Sequence, residues 1–391
     1  MSRKIVYSGV LLTCVIAKLA VAAEPQGGPA AEKHKPEVLA EFTIEKGKRH
    51  ILLPVRIEDR EYLFMLDTGA SAAALDLTFR ELLGKPVKWV QCVSAGGMTN
   101  LECFRSPKAY VGKLDLSAGE LVSCTDLEMV RRACGRDIRG GLGMGFLKNY
   151  VVRIDFDAGR LWLFSWDGLN HPEWGSAVPL YDLGGSAMDL PWVKANLAGA
   201  GSIVVLVDSG CSGAGSLARD VFEKAAYTGA AAAGLSETMA GVRRFQTKRI
   251  SSLRLGGFEH PGLIMAEGGL SLIGLGVLAR YVVTFDFPSM KMYLQKGKAF
   301  DKPDEADMSG LHLWRVGGTI TVLAVDKDSP AAAAGITAED VVLKVEEPSS
   351  AEMDIEDLRD LLSSGEGKEI KMTIQHGAQE KAVRFKLKRK I

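Results

Sequence analysis

The 391-residue chain lacks the features that mark several common functional classes. Its 48 basic and 48 acidic residues cancel, so no positive field favours nucleic acid and no acidic tail is indicated. The six histidines stand singly, without the paired spacing of a zinc site, and we predict neither a metal nor a cofactor. No serine lies in the Gly-x-Ser-x-Gly elbow of many hydrolases. These absences argue against nucleic-acid binding, zinc hydrolysis and serine hydrolysis.

Long apolar runs are also scarce, apart from one near the N-terminus. Residues 1–23 predict a secretory signal peptide, with Arg3 and Lys4 before an apolar stretch at 9–17 and small residues at 20–23. That stretch is too short to span a bilayer. We therefore expect an exported protein, periplasmic or secreted, with no membrane span after signal cleavage. Residues 24–37 predict a flexible lead-in.

Cysteine is scarce too, with five residues beyond the predicted signal peptide. Cys92 with Cys103, and Cys124 with Cys134, have spacings that permit two local disulfides in an oxidising compartment. Cys211 would then be left over. The alternative is five buried thiols.

The informative feature of the chain is a short motif that occurs twice. Residues 64–71 (FMLDTGAS) and 204–212 (VVLVDSGCS) each place an aspartate, a hydroxyl residue and a glycine after an apolar run. An apolar strand carries its aspartate inward, where a carboxylate is costly unless it is hydrogen-bonded. Two such units predict a site of paired carboxylates, Asp67 and Asp208. The residues expected to hold or support the pair are Thr68, Gly69, Ser71, Ser209, Gly210 and Ser212.

A second pair of segments repeats in the same order. Residues 141–156 and 273–287 agree at Gly143/Gly274, Gly145/Gly276, Leu147/Leu278, Tyr150/Tyr281, Asp155/Asp286 and Phe156/Phe287. Two landmarks in one order indicate an internal duplication. The glycines lack the Lys-Ser/Thr of a phosphate loop, so we interpret them structurally. Asp155 and Asp286 are interpreted as turn formers at strand ends, because neither precedes a hydroxyl-glycine turn.

The duplicated Asp-Thr/Ser-Gly motif resembles the active-site signature of the aspartic peptidases, the pepsin and retropepsin group. The resemblance implies a mainly β fold of two tandem acid-protease (retropepsin-like) β-barrel lobes, at 38–168 and 169–300. It implies that Asp67 and Asp208 form the catalytic dyad and that Leu142-Gly143 passes behind the first of them. A hairpin at 89–110 would be the flap over the substrate, with its tip at Ala95, Gly96 and Gly97.

The chain from residue 308 to residue 391 has a different pattern. Residues 329–336 (SPAAAAGI) and the following 340–343 (DVVL) resemble those of bacterial PDZ domains. The resemblance implies an α+β PDZ domain whose loop at Gly310, Leu311, His312 and Leu313 captures the C-terminal carboxylate of a peptide by strand addition.

The sequence therefore predicts an exported aspartic endopeptidase that acts on protein or peptide substrates and uses its PDZ domain to recognise them. Because one chain carries both aspartates, we expect a monomer to be competent. Two alternatives remain open. The first is a non-catalytic peptide-binding protein that retains the fold, which would fit the missing flap tyrosine. The second is a homodimer in which only the first lobe is active.

Overall fold

The computed structural model describes residues 36–47, 49–94, 97–116, 121–184, 189–238, 241–345 and 353–391. The predicted signal peptide, residues 1–23, lies outside these ranges. The described part of the protein is mainly β, with 48% strand and 13% helix. None of the helices in the described ranges combines the length and the apolar character needed to cross a lipid bilayer.

Within the described ranges, the first part of the chain contributes twelve strands and three helices. The strands are β1 (Val38–Thr43), β2 (Leu52–Ile57), β3 (Arg60–Leu66), β4 (Ala74–Asp76), β5 (Lys88–Ser94), β6 (Gly97–Arg105), β7 (Ala109–Val111), β8 (Leu114–Asp115), β9 (Leu121–Thr125), β10 (Ile138–Leu142), β11 (Val151–Asp155) and β12 (Arg160–Phe164). The helices are α1 (Arg80–Leu83), α2 (Glu128–Cys134) and α3 (Met144–Leu147), with a 3-10 turn at Leu77–Phe79.

The middle of the chain repeats this pattern after a 3-10 turn at Pro172–Trp174. Its strands are β13 (Ser176–Pro179), β14 (Trp192–Leu197), β15 (Gly201–Val207), β16 (Gly215–Ala218), β17 (Tyr227–Thr238), β18 (Gly241–Ile250), β19 (Ser252–Leu255), β20 (Phe258–Pro261), β21 (Ile264–Gly268), β22 (Leu272–Ile273), β23 (Tyr281–Asp286) and β24 (Lys291–Lys296). Its helices are α4 (Arg219–Lys224) and α5 (Leu275–Leu278).

Two nine-stranded sheets confirm the predicted duplication. The strand order β5-β6-β9-β4-β10-β3-β2-β7-β8 in the first sheet corresponds strand for strand to β17-β18-β21-β16-β22-β15-β14-β19-β20 in the second. We refer to the unit built on the first sheet as lobe 1 and to the unit built on the second as lobe 2. In both lobes the strand that precedes the aspartate, β3 or β15, pairs in parallel with a later strand, β10 or β22.

A six-stranded sheet of order β1-β12-β11-β23-β24-β13 joins the two lobes. Its centre is the antiparallel pair β11 and β23, in which Arg153 lies opposite Thr284. The two strands come from the duplicated Val-Val segments. A single hydrophobic cluster runs through both lobes, so burial of apolar surface favours their association.

The C-terminal part forms a separate five-stranded antiparallel sheet of order β25-β26-β27-β28-β29. Its strands are β25 (Leu311–Val316), β26 (Thr319–Val325), β27 (Val341–Val345), β28 (Glu369–His376) and β29 (Gln379–Lys386), and its helices are α6 (Pro330–Ala333) and α7 (Ile355–Leu362). Asp354 caps α7 by accepting a hydrogen bond from the Glu356 N–H at 2.9 Å. This part has its own hydrophobic core, to which α7 contributes its buried face.

Candidate active site

Asp67 and Asp208 follow directly on the equivalent strands β3 and β15. Both strands become buried toward the end that carries the aspartate, as their apolar sequences predict. The Asp67 N–H donates to the carbonyl of Leu142 at 3.0 Å, and the Asp208 N–H donates to the carbonyl of Ile273 at 2.9 Å. The parallel neighbours β10 and β22 thus fix the backbone at each aspartate.

The hydroxyl residues after the aspartates tie the two lobes together. The Thr68 N–H donates to Ser209 Oγ and the Ser209 N–H donates to Thr68 Oγ1, both at 3.0 Å. The Thr68 hydroxyl donates to the Val207 carbonyl at 2.7 Å, and the Ser209 hydroxyl to the Leu66 carbonyl at 2.8 Å. The expectation that these hydroxyls hold the carboxylates is wrong, because they bind the backbone of the opposite lobe.

The two carboxyl groups face each other across the pair of glycines. A Cβ atom on Gly69 would lie 2.6 Å from Cγ of Asp208, and a Cβ atom on Gly210 would lie 2.8 Å from Cγ of Asp67. Only glycine allows so close an approach. Asp67 Oδ1 accepts the Gly69 N–H at 2.9 Å, and Asp208 Oδ1 accepts the Gly210 N–H at 2.8 Å. The glycines therefore orient the carboxyl groups as well as making room for them.

The proximity of two carboxyl groups changes their ionisation. Burial, together with the charge of Asp208, raises the pKa of Asp67 to about 8. Burial also raises the pKa of Asp208 above the ordinary value for an aspartate. Two adjacent carboxylates cannot both ionise cheaply, so the pair retains one proton at neutral pH.

Glycines behind the aspartate turns allow a second close approach. A Cβ atom on Gly143 would lie 2.3 Å from the carbonyl oxygen of Ala72, and one on Gly274 would lie 2.5 Å from the carbonyl oxygen of Cys211. The next residue on, Met144, donates its N–H to the Ala70 carbonyl at 2.8 Å. The predicted position of Leu142-Gly143 behind the first aspartate agrees with these contacts.

The outer serines occupy equivalent turns but differ in exposure. Ser71 is exposed, and its carbonyl accepts the Gly145 N–H at 3.0 Å. Ser212 is half-buried. Support of the carboxyl groups by these two hydroxyls stays a prediction.

Comparisons with known proteins identify two parts of the chain. Residues 53–146 match the model of the aspartyl protease family, and residues 321–376 match the model of the PDZ domain. The chain carries an aspartyl protease domain followed by a PDZ domain. A probable CtpA-like serine protease of Staphylococcus haemolyticus is 33% identical over 91 residues, which are 23% of this chain and 18% of that protein. The chain thus covers less than a fifth of the length of that curated relative.

Two solved structures are also similar in part. A retropepsin-like aspartic protease from Rickettsia conorii is 22% identical, and the match covers 34% of this chain and 97% of that chain with a TM-score of 0.24. A photosystem II D1 C-terminal processing protease is 20% identical, and the match covers 24% of this chain and 26% of that chain with a TM-score of 0.22.

The protease domain has a hairpin where the flap was expected. Strands β5 and β6 form it, and Ser94 pairs with Gly97 at its end. Of the predicted tip residues, Ala95 and Gly96 lie outside the described residues. Lobe 2 has an equivalent and longer hairpin, β17 and β18, which the sequence analysis did not identify. The internal duplication was the signal that could have found it, because a flap in one repeat implies a hairpin in the other.

The PDZ loop that was predicted to capture a carboxylate is engaged by the chain's own groups. The Gly310 N–H donates to Asp307 Oδ1 at 2.6 Å, and the Leu311 N–H donates to Ser309 Oγ at 3.0 Å. The Ser309 N–H also donates to Asp307 Oδ1, at 3.0 Å. The carboxylate of Asp307 thus occupies the place at Gly310 where a peptide carboxylate was expected.

The other two residues of that loop have different roles. His312 Nε2 lies 2.9 Å from Asp326 Oδ1, and Lys390 Nζ lies 2.5 Å from Asp326 Oδ2. Burial would raise the pKa of Asp326, but these two hydrogen bonds outweigh it and lower the pKa to about 2. The side chain of Leu313 is buried in the PDZ core. Peptide capture by this loop stays a prediction.

The two remaining interpretations concern turns and cysteines. Asp155 Oδ1 accepts the Ala158 N–H at 2.8 Å and Asp286 Oδ1 accepts the Ser289 N–H at 3.0 Å, so both are turn formers as interpreted. The Cys124 and Cys134 thiols are free, and the second possible disulfide is not formed.

The register of the β5–β6 hairpin also excludes the first disulfide. Cys92 lies opposite Thr99, four residues from Cys103 on β6. Four residues along a strand span roughly 13 Å, well beyond the Cα separation that a disulfide tolerates.

Proposed function

We propose that the protein is an exported aspartic endopeptidase with two tandem retropepsin-like β-barrel lobes and one Asp67/Asp208 dyad. The reciprocal hydrogen bonds of Thr68 and Ser209 carry this proposal, because they hold the two aspartates at a fixed spacing at the seam between the lobes. The raised pKa values of both carboxyl groups support a shared proton at the pH where the enzyme works.

The chemistry is general acid–base hydrolysis of a peptide bond. The ionised carboxylate takes a proton from a bound water, whose oxygen attacks the carbonyl carbon of the substrate. The protonated carboxyl gives its proton to the carbonyl oxygen, which yields a tetrahedral diol. When the diol collapses, the aspartate that took the water's proton passes it to the amide nitrogen, the other aspartate takes a proton from a diol hydroxyl, and the C–N bond breaks. The two aspartates thus exchange roles in the first step and return to their starting protonation states in the second.

One chain supplies both aspartates and two hairpins, β5–β6 and β17–β18. A monomer therefore contains all parts of the proposed site. The PDZ domain would recognise peptide segments of the substrate or of a partner protein.

Proteolysis of a reduced and carboxymethylated protein substrate between pH 3 and pH 9 tests the proposal. Asp67→Asn and Asp208→Asn should each lower the cleavage rate by about 10²–10⁴-fold, the typical contribution of a general acid or base. The matched control is Asp155→Asn, which removes a carboxylate that only forms a turn and should leave the rate unchanged. Undiminished cleavage by either dyad variant would contradict the shared-proton mechanism.

A statine-containing peptide separates the proposal from the non-catalytic alternative. The hydroxyl of statine mimics the tetrahedral diol, so a working dyad should bind it and be inhibited by it. Binding of this peptide by a protein that cleaves no substrate at any pH would favour a peptide-binding role instead.

Export is part of the proposal and has its own test. Expression of the full chain in a bacterial host, followed by fractionation and mass measurement, should yield a mature protein that starts near residue 24 outside the cytoplasm. An uncleaved chain that stays in the cytoplasm would contradict export without affecting the proposed chemistry.

A further inference from the structure

Strand β25 is one of the two edge strands of the PDZ sheet, and β29 is the other. Among the described residues, β25 pairs with β26 alone. Val322, opposite Leu313, donates its N–H to Asp340 and accepts from the Glu339 N–H, both at 2.8 Å, so its polar groups face β27. Leu313 is therefore a non-hydrogen-bonded partner of Val322, and its own N–H and C=O point to the free edge. This edge is where a peptide strand would be added.

Helix α7 contacts β25, and the space between the two is called the PDZ groove. Arg359 on α7 reaches across, and its Nη2 donates to the Leu313 carbonyl at 2.7 Å. Its Nη1 donates at 2.6 Å to the carbonyl of Ala133, which lies in the last turn of α2 in lobe 1. One side chain thus occupies the strand edge and binds it to the protease domain.

The end of α2 covers the same groove from outside. A Cβ atom on Gly135 would lie 2.8 Å from Cγ2 of Ile355, at the start of α7, and 3.3 Å from Nε of Arg315 on β25. The guanidinium of Arg132 lies 5.7 Å from the ring centre of Trp314, also on β25. Residues 132–136 therefore contact both walls of the groove.

Three side-chain ion pairs and one backbone hydrogen bond, from the Arg49 N–H to Glu356 Oε2 at 3.1 Å, surround this covered groove in the described part of the chain. His50 Nδ1 lies 2.8 Å from Glu356 Oε1, and Arg49 Nη2 lies 3.0 Å from Asp360 Oδ1. Arg136 Nη2 lies 2.6 Å from Asp354 Oδ2. All three acidic partners belong to α7 or its cap, and all three basic partners belong to lobe 1. We call these contacts, with those of residues 132–136, the junction.

We propose that the PDZ groove is an intramolecular docking site for residues 132–136 of lobe 1, and that a peptide enters it only by displacing them. The contacts of Arg359 and Gly135 fill the strand edge and the space between the walls. The PDZ domain is thereby closed to peptides as long as the junction is intact. The carboxylate of Asp307 on Gly310 is a contact within the C-terminal part itself and lies outside the junction.

Displacement of α2 from the groove would also affect the hairpin of lobe 2. Helix α2 packs against β17 as well as against β25, and β17 is one strand of the lobe 2 hairpin. A peptide in the PDZ groove would therefore free this hairpin on the substrate side. This consequence rests on the proposed function, whereas the closure of the groove does not.

The experiment opens the junction from the lobe 1 side, so that the groove itself is unaltered. Arg49→Ala combined with Arg136→Ala removes two partly exposed ion pairs with α7 and its cap, together with the Arg136–Glu45 pair within lobe 1. The matched control is Arg219→Ala combined with Arg254→Ala, which removes the ion pairs of Arg219 with Glu223 and Glu267 and of Arg254 with Glu259 from lobe 2. A third variant, Arg49→Asp with Asp360→Arg, reverses one pair and should behave like wild type.

Two readouts that need no catalysis are made on the full chain. The first is hydrogen exchange of the peptide that contains β25. The second is anisotropy of a fluorescein-labelled pool of heptapeptides that end in Val, Leu, Ile or Ala. In the junction variant both exchange and peptide affinity should rise by roughly threefold to thirtyfold, as the loss of two such ion pairs implies. The control should match wild type in both.

Equal exchange and equal affinity in wild type and the junction variant would overturn the proposal. Faster exchange without any peptide binding would overturn the claim that the groove accepts a peptide. The variant Asp67→Asn should lose substrate cleavage without a change in either readout. The proposed function and this inference can therefore fail separately.

Discussion

Thr68 and Ser209 exchange hydrogen bonds across the seam between the lobes, each N–H donating to the hydroxyl of the other residue at 3.0 Å. The two residues are almost completely buried, with 1% and 0% of their surface exposed. Each hydroxyl also donates to a backbone carbonyl of the opposite lobe. The spacing of the aspartates therefore depends on two buried side chains that bind the backbone of the opposite lobe.

Ser209→Ala should destabilise the whole protease domain. The substitution leaves the buried Thr68 N–H without its acceptor, which costs about 1–3 kcal/mol. Urea unfolding measures the loss. Ser209→Thr keeps the hydroxyl and should retain most of the stability, and Ser212→Ala, in the same turn, should stay within about 0.5 kcal/mol of wild type. A Ser209→Ala protein as stable as wild type would show that the reciprocal hydrogen bonds of Thr68 and Ser209 contribute nothing to stability.

Gly69→Ala should lower the rate of substrate cleavage strongly and should lower the stability of the fold much less. Its Cβ atom would lie 2.6 Å from Cγ of Asp208, so the two carboxyl groups must move apart. A displacement of about 1 Å can cost about 10²-fold in rate. The control is Gly213→Ala, in the lobe 2 turn, where a Cβ atom would meet nothing within 4 Å. Equal cleavage rates in the two variants would contradict a requirement for glycine beside the dyad.

The stability of the protease domain should fall as the pH rises. Folding raises the pKa of Asp67 from 3.8 to about 8, so the folded protein holds a proton that the unfolded chain releases. The resulting stabilisation is complete below pH 3.8 and is lost as the pH approaches 8. Melting temperatures between pH 5 and pH 9 measure it. Asp67→Asn should flatten the profile and be more stable than wild type at pH 9, while Asp155→Asn should follow wild type.

The junction should weaken as the pH rises from neutral to alkaline. Burial alone would lower the pKa of His50, but hydrogen bonds to the Cys134 thiol and the Glu356 carboxylate outweigh it and raise the pKa to about 9. The imidazolium form therefore stabilises the junction fully below pH 6.5, and this contribution disappears as the pH rises through 9.

Hydrogen exchange of β25 measures this effect between pH 7 and pH 10, after correction for the intrinsic rates. Wild type should show increased opening above pH 9, and His50→Gln should show the same opening at every pH. Two groups face the imidazole, Cys134 and Glu356. The variant Glu356→Gln tests the second of them, because it keeps a hydrogen bond and removes the charge. A pH-independent wild type would contradict a role for the His50 charge.

Local patterns in the sequence predicted most of the fold. The duplicated segments gave equivalent strands because a β-strand that precedes a buried carboxylate must be apolar, and this requirement is written in consecutive residues. The same holds for Asp155 and Asp286, whose turns depend on neighbours three residues away. The PDZ domain was recognisable from the segment around Ser329-Pro330, where a capped helix begins with a proline.

Contacts between distant parts of the chain could not be predicted in this way. The assignment of Thr68 and Ser209 to the carboxylates failed because their true partners come from the other lobe. His50 was treated as isolated, yet folding brings it to Cys134 and to Glu356, 306 residues further along the chain. No local pattern marks such pairs, because they depend on how whole sheets and domains pack.

The sequence alone determined that two aspartates would be carried on two equivalent strands, since apolar alternation and turn chemistry act over a few residues. Only the tertiary structure decided which residues lie opposite the two aspartates and which residues cover the PDZ groove. Residues that bind each other across a lobe or domain boundary are placed by the packing of surfaces far apart in the chain, and this packing sets both the spacing of the dyad and the closure of the groove.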